Sequence, residues 1–117
     1  MIQEVTLEAF SDANYAADDD TRNSLSDTAI LLNGMPMSWS CKRQHSVSLS
    51  TMEADFVAAS KAAQELLGAR ELFKELKINV KEPMILWMDN QAAISQFLNE
   101  ATSIRAKHID VRLKYVR

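Results

Sequence analysis

The chain has 117 residues, 47% of them apolar and 25% charged, with a formal net charge of −3. That length supplies one hydrophobic core and is too short for two, and the negative balance argues against whole-molecule attraction to nucleic acid. No apolar run reaches the roughly 18 residues of a membrane span, MIQEVTLEAF lacks the basic-then-apolar layout of a secretory signal, and the single cysteine, Cys41, excludes a disulfide framework or a thiolate zinc site, so a single intracellular, cytoplasmic domain is expected.

In chain order, VTLEAFS (Val5 to Ser11) reads as a strand that breaks at Asp12 and Asn14 into a turn. The polar ADDDTRNS segment is a surface loop. SDTAILL (Ser26 to Leu32) is a second strand, and Asn33-Gly34 is the strongest two-residue hairpin signal, since both residues accept φ > 0. A third strand, Met37 to Cys41, completes an antiparallel meander. Ser50-Thr51-Met52-Glu53 fits a capping box, in which the serine hydroxyl takes an orphan N–H and the glutamate reaches back to the serine's own. Behind it Ala58, Ala62, Leu66, Ala69, Phe73 and Leu76 recur at helical steps and form one apolar face, with Gly68 marking a bend or junction. MILWM (Met84 to Met88) is apolar throughout and predicts a strand buried on both faces. Asp89 closes it and caps a helix from Gln91 to about Leu98. A last helix is predicted over Ala106 to Arg117. The result is an α/β chain: a three-stranded antiparallel meander, a parallel fourth strand and flanking helices. Trp39 and Trp87 fall in strand patterns and are expected in the core.

Three carboxylates stand out from this layout. Asp12 and Asp89 each end a strand, and if the first and fourth strands run parallel side by side, both emerge at one sheet edge, where open mixed sheets place their sites. Singly, Asp12 is a turn residue and Asp89 a helix cap, each commoner than a ligand; together they invite a third acid from the head of the long helix. Glu53 and Asp55 compete for that place and point some 200° apart at about 100° per residue. Asp55 leads into the buried face while Glu53 has a job in the cap, which favours Asp55 as the ligand and keeps Glu53 as the other catalytic candidate. Ionised carboxylates brought together repel one another unless a cation offsets them, and hard oxygens suit Mg²⁺ or Mn²⁺. Two such ions about 4 Å apart would activate a water and stabilise the leaving oxygen in phosphodiester cleavage.

Five segments in order resemble the ribonuclease H domain of copia-type LTR retrotransposon polyproteins. SDANYAADDDTRNSLS resembles its SDADWAGDxxDRKSTSG, WSCKRQ its WSSKKQ, VSLSTMEADF its LSTAEAEY, MDNQAAI its CDNQSAI, and AKHIDVRLKYVR its TKHIDIRYHFVR. The resemblance runs from Thr6 onward and implies a ribonuclease H-like mixed sheet and hydrolysis of the RNA strand of an RNA–DNA hybrid. It implies two Mg²⁺ or Mn²⁺ ions on Asp12, Asp55 and Asp89, with the reverse transcriptase portion of the same polyprotein as a partner and a virus-like particle as a setting. Candidate substrate contacts are Lys42 and Arg43 of WSCKRQ, Asn90 and Gln91 of MDNQAAI, and Lys107 and Arg112 of the basic tail, where Lys114 and Arg117 could also touch phosphates.

The chain departs from the pattern at Asp55, where the family has Glu, at Asn23 for a usual Lys, and at Asp27 for a usual Gly. The family's fifth strand and final acid-bearing helix are expected to fall beyond Arg117, leaving the domain incomplete at its C-terminus. Asp110 matches the KHID segment instead and is assigned to surface electrostatics, and His108 to packing on the same helix. The competing reading is an inactive ribonuclease H-like remnant with at most nucleic-acid or protein binding.

Overall fold

The computed structural model describes residues 4–18, 20–100 and 107–114. Its strands are β1 (Glu4–Val5), β2 (Leu7–Asn14), β3 (Leu25–Leu32), β4 (Met35–Arg43), β5 (Asn79–Val80), β6 (Met84–Met88) and β7 (Ile109–Leu113), and its helices α1 (Thr51–Glu75) and α2 (Gln91–Glu100). The main sheet has the order β4-β3-β2-β6-β7, antiparallel through β2, β3 and β4 and parallel from β2 to β6 to β7. This is the expected ribonuclease H-like mixed sheet, with a parallel β1-β5 pair beside it.

The Asn33-Gly34 turn sets the register of the meander. Both residues take positive φ, 52° and 81°, and Asn33 exchanges bonds with Thr6 through its side chain and its backbone, each 2.8 Å long. Leu7 therefore faces Leu32, and five rungs further on Asp12 faces Asp27. Asp12 thus lies inside β2, which continues to Asn14, and not at the strand's end.

The core is one cluster on one face of the sheet. Leu7 and Ala9 of β2, Ile30 of β3, Met84, Leu86 and Met88 of β6 and Ile109 of β7 pack against Ala59, Ala62, Ala63 and Leu66 of α1 and Ile94 and Phe97 of α2. Alanines let α1 lie close to the strands. The helix is unbroken through Gly68, where a bend was expected, and it ends at Leu76, with Lys77 at φ 61°. Leu76, expected on its apolar face, is 60% exposed.

Two expectations are corrected. Residues 109–113 form the fifth strand that was expected to fall beyond Arg117, parallel to β6 with Met84 opposite Ile109, and not a helix; of the rest of the expected helix, Lys107 and His108 are helical, Lys114 is a bend, and residues 106 and 115–117 lie outside the described residues. Trp39 is 80% exposed. It registers with Ala29, whose other neighbour is Phe10, so it lies on the face opposite α1 and α2. Trp87 is half-buried there, stacked on Phe10 at 6.0 Å between centroids and donating from Nε1 to Glu8 at 2.8 Å. No described helix is long and apolar enough to cross a membrane.

Candidate metal centre

Three elements converge at the carboxyl ends of β2 and β6. β2 brings Asp12, the residue after β6 is Asp89, and α1 brings Asp55 just past its first turn; one carboxylate oxygen from each lies within 4.8 Å of the other two. Asp55 is buried, Asp12 half-buried and Asp89 exposed, so the cluster opens to solvent on the Asp89 side. Among the described residues it is the one such group of acids.

The local sequence accounts for each placement. Ser50 caps α1 and its hydroxyl accepts the Glu53 N–H at 3.0 Å. The Glu53 carboxylate accepts from the N–H of Leu49, also at 3.0 Å, one residue before the serine it was expected to reach. Glu53 is therefore engaged at the cap and absent from the acid cluster, while Asp55, two residues on, turns inward.

The second helix start is also capped differently from expectation. Asn90, not Asp89, caps α2: its Oδ1 accepts the Ala93 N–H at 3.1 Å and its carbonyl accepts the Ile94 N–H at 3.0 Å. Asp89 is left outside the helix with its carboxylate in the cluster. The Nδ2 of Asn90 donates to Asp55 Oδ2 at 3.1 Å, so this candidate substrate contact holds a cluster carboxylate and a helix end at once.

Burial and the neighbouring charges raise the pKa of two members. Burial, and then the charge of Asp89, push Asp12 above its ordinary 3.8, against the opposing pull of the Ala13 N–H and of Lys114. Burial likewise pushes Asp55 up, with the Asn90 bond opposing and the charges of Asp89 and Asp12 adding. A set of hard oxygen donors that resists full ionisation by itself is a set that a divalent cation relieves.

The other candidates spread over the molecule. Arg43 pairs with Asp18 at 3.4 Å, and Lys42 beside it is exposed on the edge strand β4. Gln91 and Lys107 are exposed. Arg112 bonds Asp110 at 3.0 Å on β7, while Arg117 lies outside the described residues. Asp110 sits on a strand and not on a helix, level with Ile85. That is four residues down β6 from Asp89, about 13 Å at 3.3 Å per residue, so it is no fourth member of the cluster. His108 accepts or donates through Nδ1 to Glu82 at 2.6 Å, and Arg70 bonds the other oxygen of Glu82. Neither His108 nor Glu82 adjoins the aspartates in sequence or strand level.

A cleft of about 220 Å³ opens beside the cluster, lined by Phe10, Asp12, Asp27, Trp39 and Lys114 among others. Lys114 lies 5.7 Å from the Phe10 ring centroid. Asp27 stood out in the sequence only as a departure from the family's usual Gly and not as a site residue; the β2–β3 register, held beside the turn by the Asn33–Thr6 bonds, places it opposite Asp12.

No family model matches the chain. It is 35% identical over 111 residues, 95% of its length, to the Retrovirus-related Pol polyprotein from transposon TNT 1-94 of Nicotiana tabacum. It is 32% identical over 113 residues, 97% of its length, to the Retrovirus-related Pol polyprotein from transposon RE2 of Arabidopsis thaliana. In each case the chain spans 8% of the polyprotein. A shorter match, 42% identical over 59 residues, covers 50% of this chain and 42% of the Secreted RxLR effector protein 161 of Plasmopara viticola.

Proposed function

We propose that this retrotransposon-derived domain, of the Pol polyprotein kind, hydrolyses the RNA strand of RNA–DNA hybrids using Mg²⁺ or Mn²⁺ held by Asp12, Asp55 and Asp89. The observation that carries the proposal is the convergence of three aspartates from β2, α1 and the end of β6, with oxygens within 4.8 Å of one another. Divalent cations held by these three carboxylates would supply Lewis-acid polarisation of a phosphate oxygen and a water of lowered pKa.

The chain's own residues hold and aim that chemistry. Asp12 stands on a strand paired on both sides, by β3 and β6, and so offers a rigid ligand. Asp55 is aimed by the Asn90 amide. Asp89 faces solvent and the incoming strand. Lys114, whose charge is felt at Asp12, adds positive potential beside the acids for a phosphate. The hybrid is distinguished from DNA duplex by its 2′-hydroxyls, and a reverse transcriptase portion of the same polyprotein is the proposed neighbour that delivers it.

The test is a labelled RNA–DNA hybrid incubated with the purified chain in Mg²⁺ or Mn²⁺, beside Asp89→Asn. Cleavage of the RNA strand, lowered on the order of 10²–10³-fold in the variant as for loss of one preorganised electrostatic group, supports the proposal. No cleavage by the folded chain in either metal overturns it and leaves an inactive remnant of the fold.

A further inference from the structure

We propose that Gln44 is a positioning residue that fixes the first turn of α1 and thereby carries Asp55 into the acid cluster, an inference that rests on the reading of the three aspartates as a cation site. Gln44 follows β4 directly and is 6% exposed. Its backbone N–H donates to the Ser24 carbonyl at 2.8 Å, and its carbonyl accepts from Asn23 Nδ2 at 2.6 Å. Its side-chain Nε2 donates to Ser26 Oγ at 2.9 Å and to the Ala54 carbonyl at 3.1 Å, and its Oε1 accepts from Ser48 Oγ at 3.2 Å. A primary amide offers two donors and an acceptor in one plane, which a carboxylate or an apolar side chain of similar length does not.

The partners of this amide explain its reach. Ala54 is the residue before Asp55, and Ser26 pairs with Ala13, the residue after Asp12. One side chain thus ties the peptide next to the helix aspartate to the sheet rung next to the strand aspartate. Elsewhere at this end, the fully buried apolar residues of α1 are Ala54, Ala58 and Ala59, all 0% exposed, with Met52 and Phe56 partly buried and Phe56 edge-on to Phe97 of α2. These apolar contacts are attractive but non-directional, and the small alanines facing the strands oppose local rotation and sliding of the helix only weakly. A hydrogen bond has a preferred length and angle, so the Gln44 amide supplies the direction. Misplacement of a cluster ligand by about 1 Å is enough to matter for catalysis.

The experiment uses the full chain as Gln44→Leu, as the milder Ser26→Ala, and as Ile109→Val, a core change at the far end of the sheet. Two readouts are taken: the side-chain amide resonances of Asn90, which report its bond to Asp55, in EDTA; and Mn²⁺ affinity by electron paramagnetic resonance. Gln44→Leu is expected to move the Asn90 resonances toward their positions in Asp55→Ala and to weaken Mn²⁺ binding about 10–100-fold, the usual cost of losing a residue that orients a ligand. Ser26→Ala moves both in the same direction by less, which carries the test if Gln44→Leu does not fold. Ile109→Val leaves both unmoved while lowering stability. Wild-type resonances and affinity in folded Gln44→Leu or Ser26→Ala overturn the proposal, as does an equal shift in Ile109→Val. If the wild-type chain binds no Mn²⁺, the cation reading fails and the Asn90 resonances alone decide the role of Gln44.

Discussion

Asn90 donates from Nδ2 to Asp55 Oδ2 at 3.1 Å while its Oδ1 accepts the N–H of Ala93 at the same length. One side chain therefore caps α2 and aims a carboxylate of α1. Asn90→Ala removes both bonds and should cost about 1 kcal/mol through the lost cap alone. Asn90→Ser retains a capping oxygen but is too short to reach Asp55. Urea unfolding should show the serine variant recovering most of the stability, while its Mn²⁺ affinity stays as low as that of the alanine variant.

The acid cluster makes stability depend on pH in a definite sense. Asp12 and Asp55 have folded-state values above the ordinary 3.8, so between 3.8 and those raised values the native chain holds more protons than the unfolded one. Stability contributed by these groups is present at low pH, falls as pH rises through that window and stays lost above it. In EDTA at pH 7, Asp55→Asn should unfold at higher urea than wild type, and the difference should vanish at pH 3. Saturating Mg²⁺ should reverse the order by stabilising the wild-type protein alone. An Asp55→Asn variant less stable than wild type in EDTA at pH 7 would contradict the repulsion described for the cluster.

Glu82 makes the opposite case. Burial pushes its carboxyl up, but the bonds from His108 and Arg70 outweigh that and hold it below its ordinary 4.5. Its contribution is present above 4.5 and is lost as pH falls through the depressed folded value. Glu82→Gln should cost about 1 kcal/mol at pH 7, reduced from the usual worth of charged hydrogen bonds by partial exposure. The cost should disappear in unfolding curves taken at pH 3.

The two faces of the sheet should respond unequally to substitution. Leu86 is 0% exposed in the centre of the core, and Leu86→Ala should cost roughly 2–5 kcal/mol. Trp39, 80% exposed, should tolerate Trp39→Ser within about 0.5 kcal/mol. Chemical denaturation of the two variants compares them directly.

Much of this arrangement was legible in local chemistry. Asn33-Gly34 determined the register of the meander, MILWM marked β6 to the residue, and helical periodicity chose Asp55 over Glu53 for the inward side of α1. What was illegible depends on tertiary pairing. Ile109, Val111 and Leu113 alternate as a strand does, but with Lys107, Asp110 and Lys114 among them they also fit an amphipathic helix, and only the vacant edge of β6 decides between the two. The exposure of Trp39 follows from which face the helices cover, a choice no single strand records. Asn90 took the cap expected of Asp89 because a shift of one residue exchanges the roles of two adjacent side chains that cap equally well. Gln44 left a weaker signal, an amide at the end of a strand before a serine-rich loop, and its value appears only once Ser26 and Ala54 are neighbours.

The most direct measurement is Mn²⁺ binding to the full chain by electron paramagnetic resonance, compared with Asp12→Asn, Asp55→Asn and Asp89→Asn. If the three aspartates form one cation site, the wild-type chain removes the free Mn²⁺ signal and each variant, folded to the same extent, restores much of it. A wild-type chain that binds no more Mn²⁺ than the three variants would contradict the metal centre and the hydrolysis built on it.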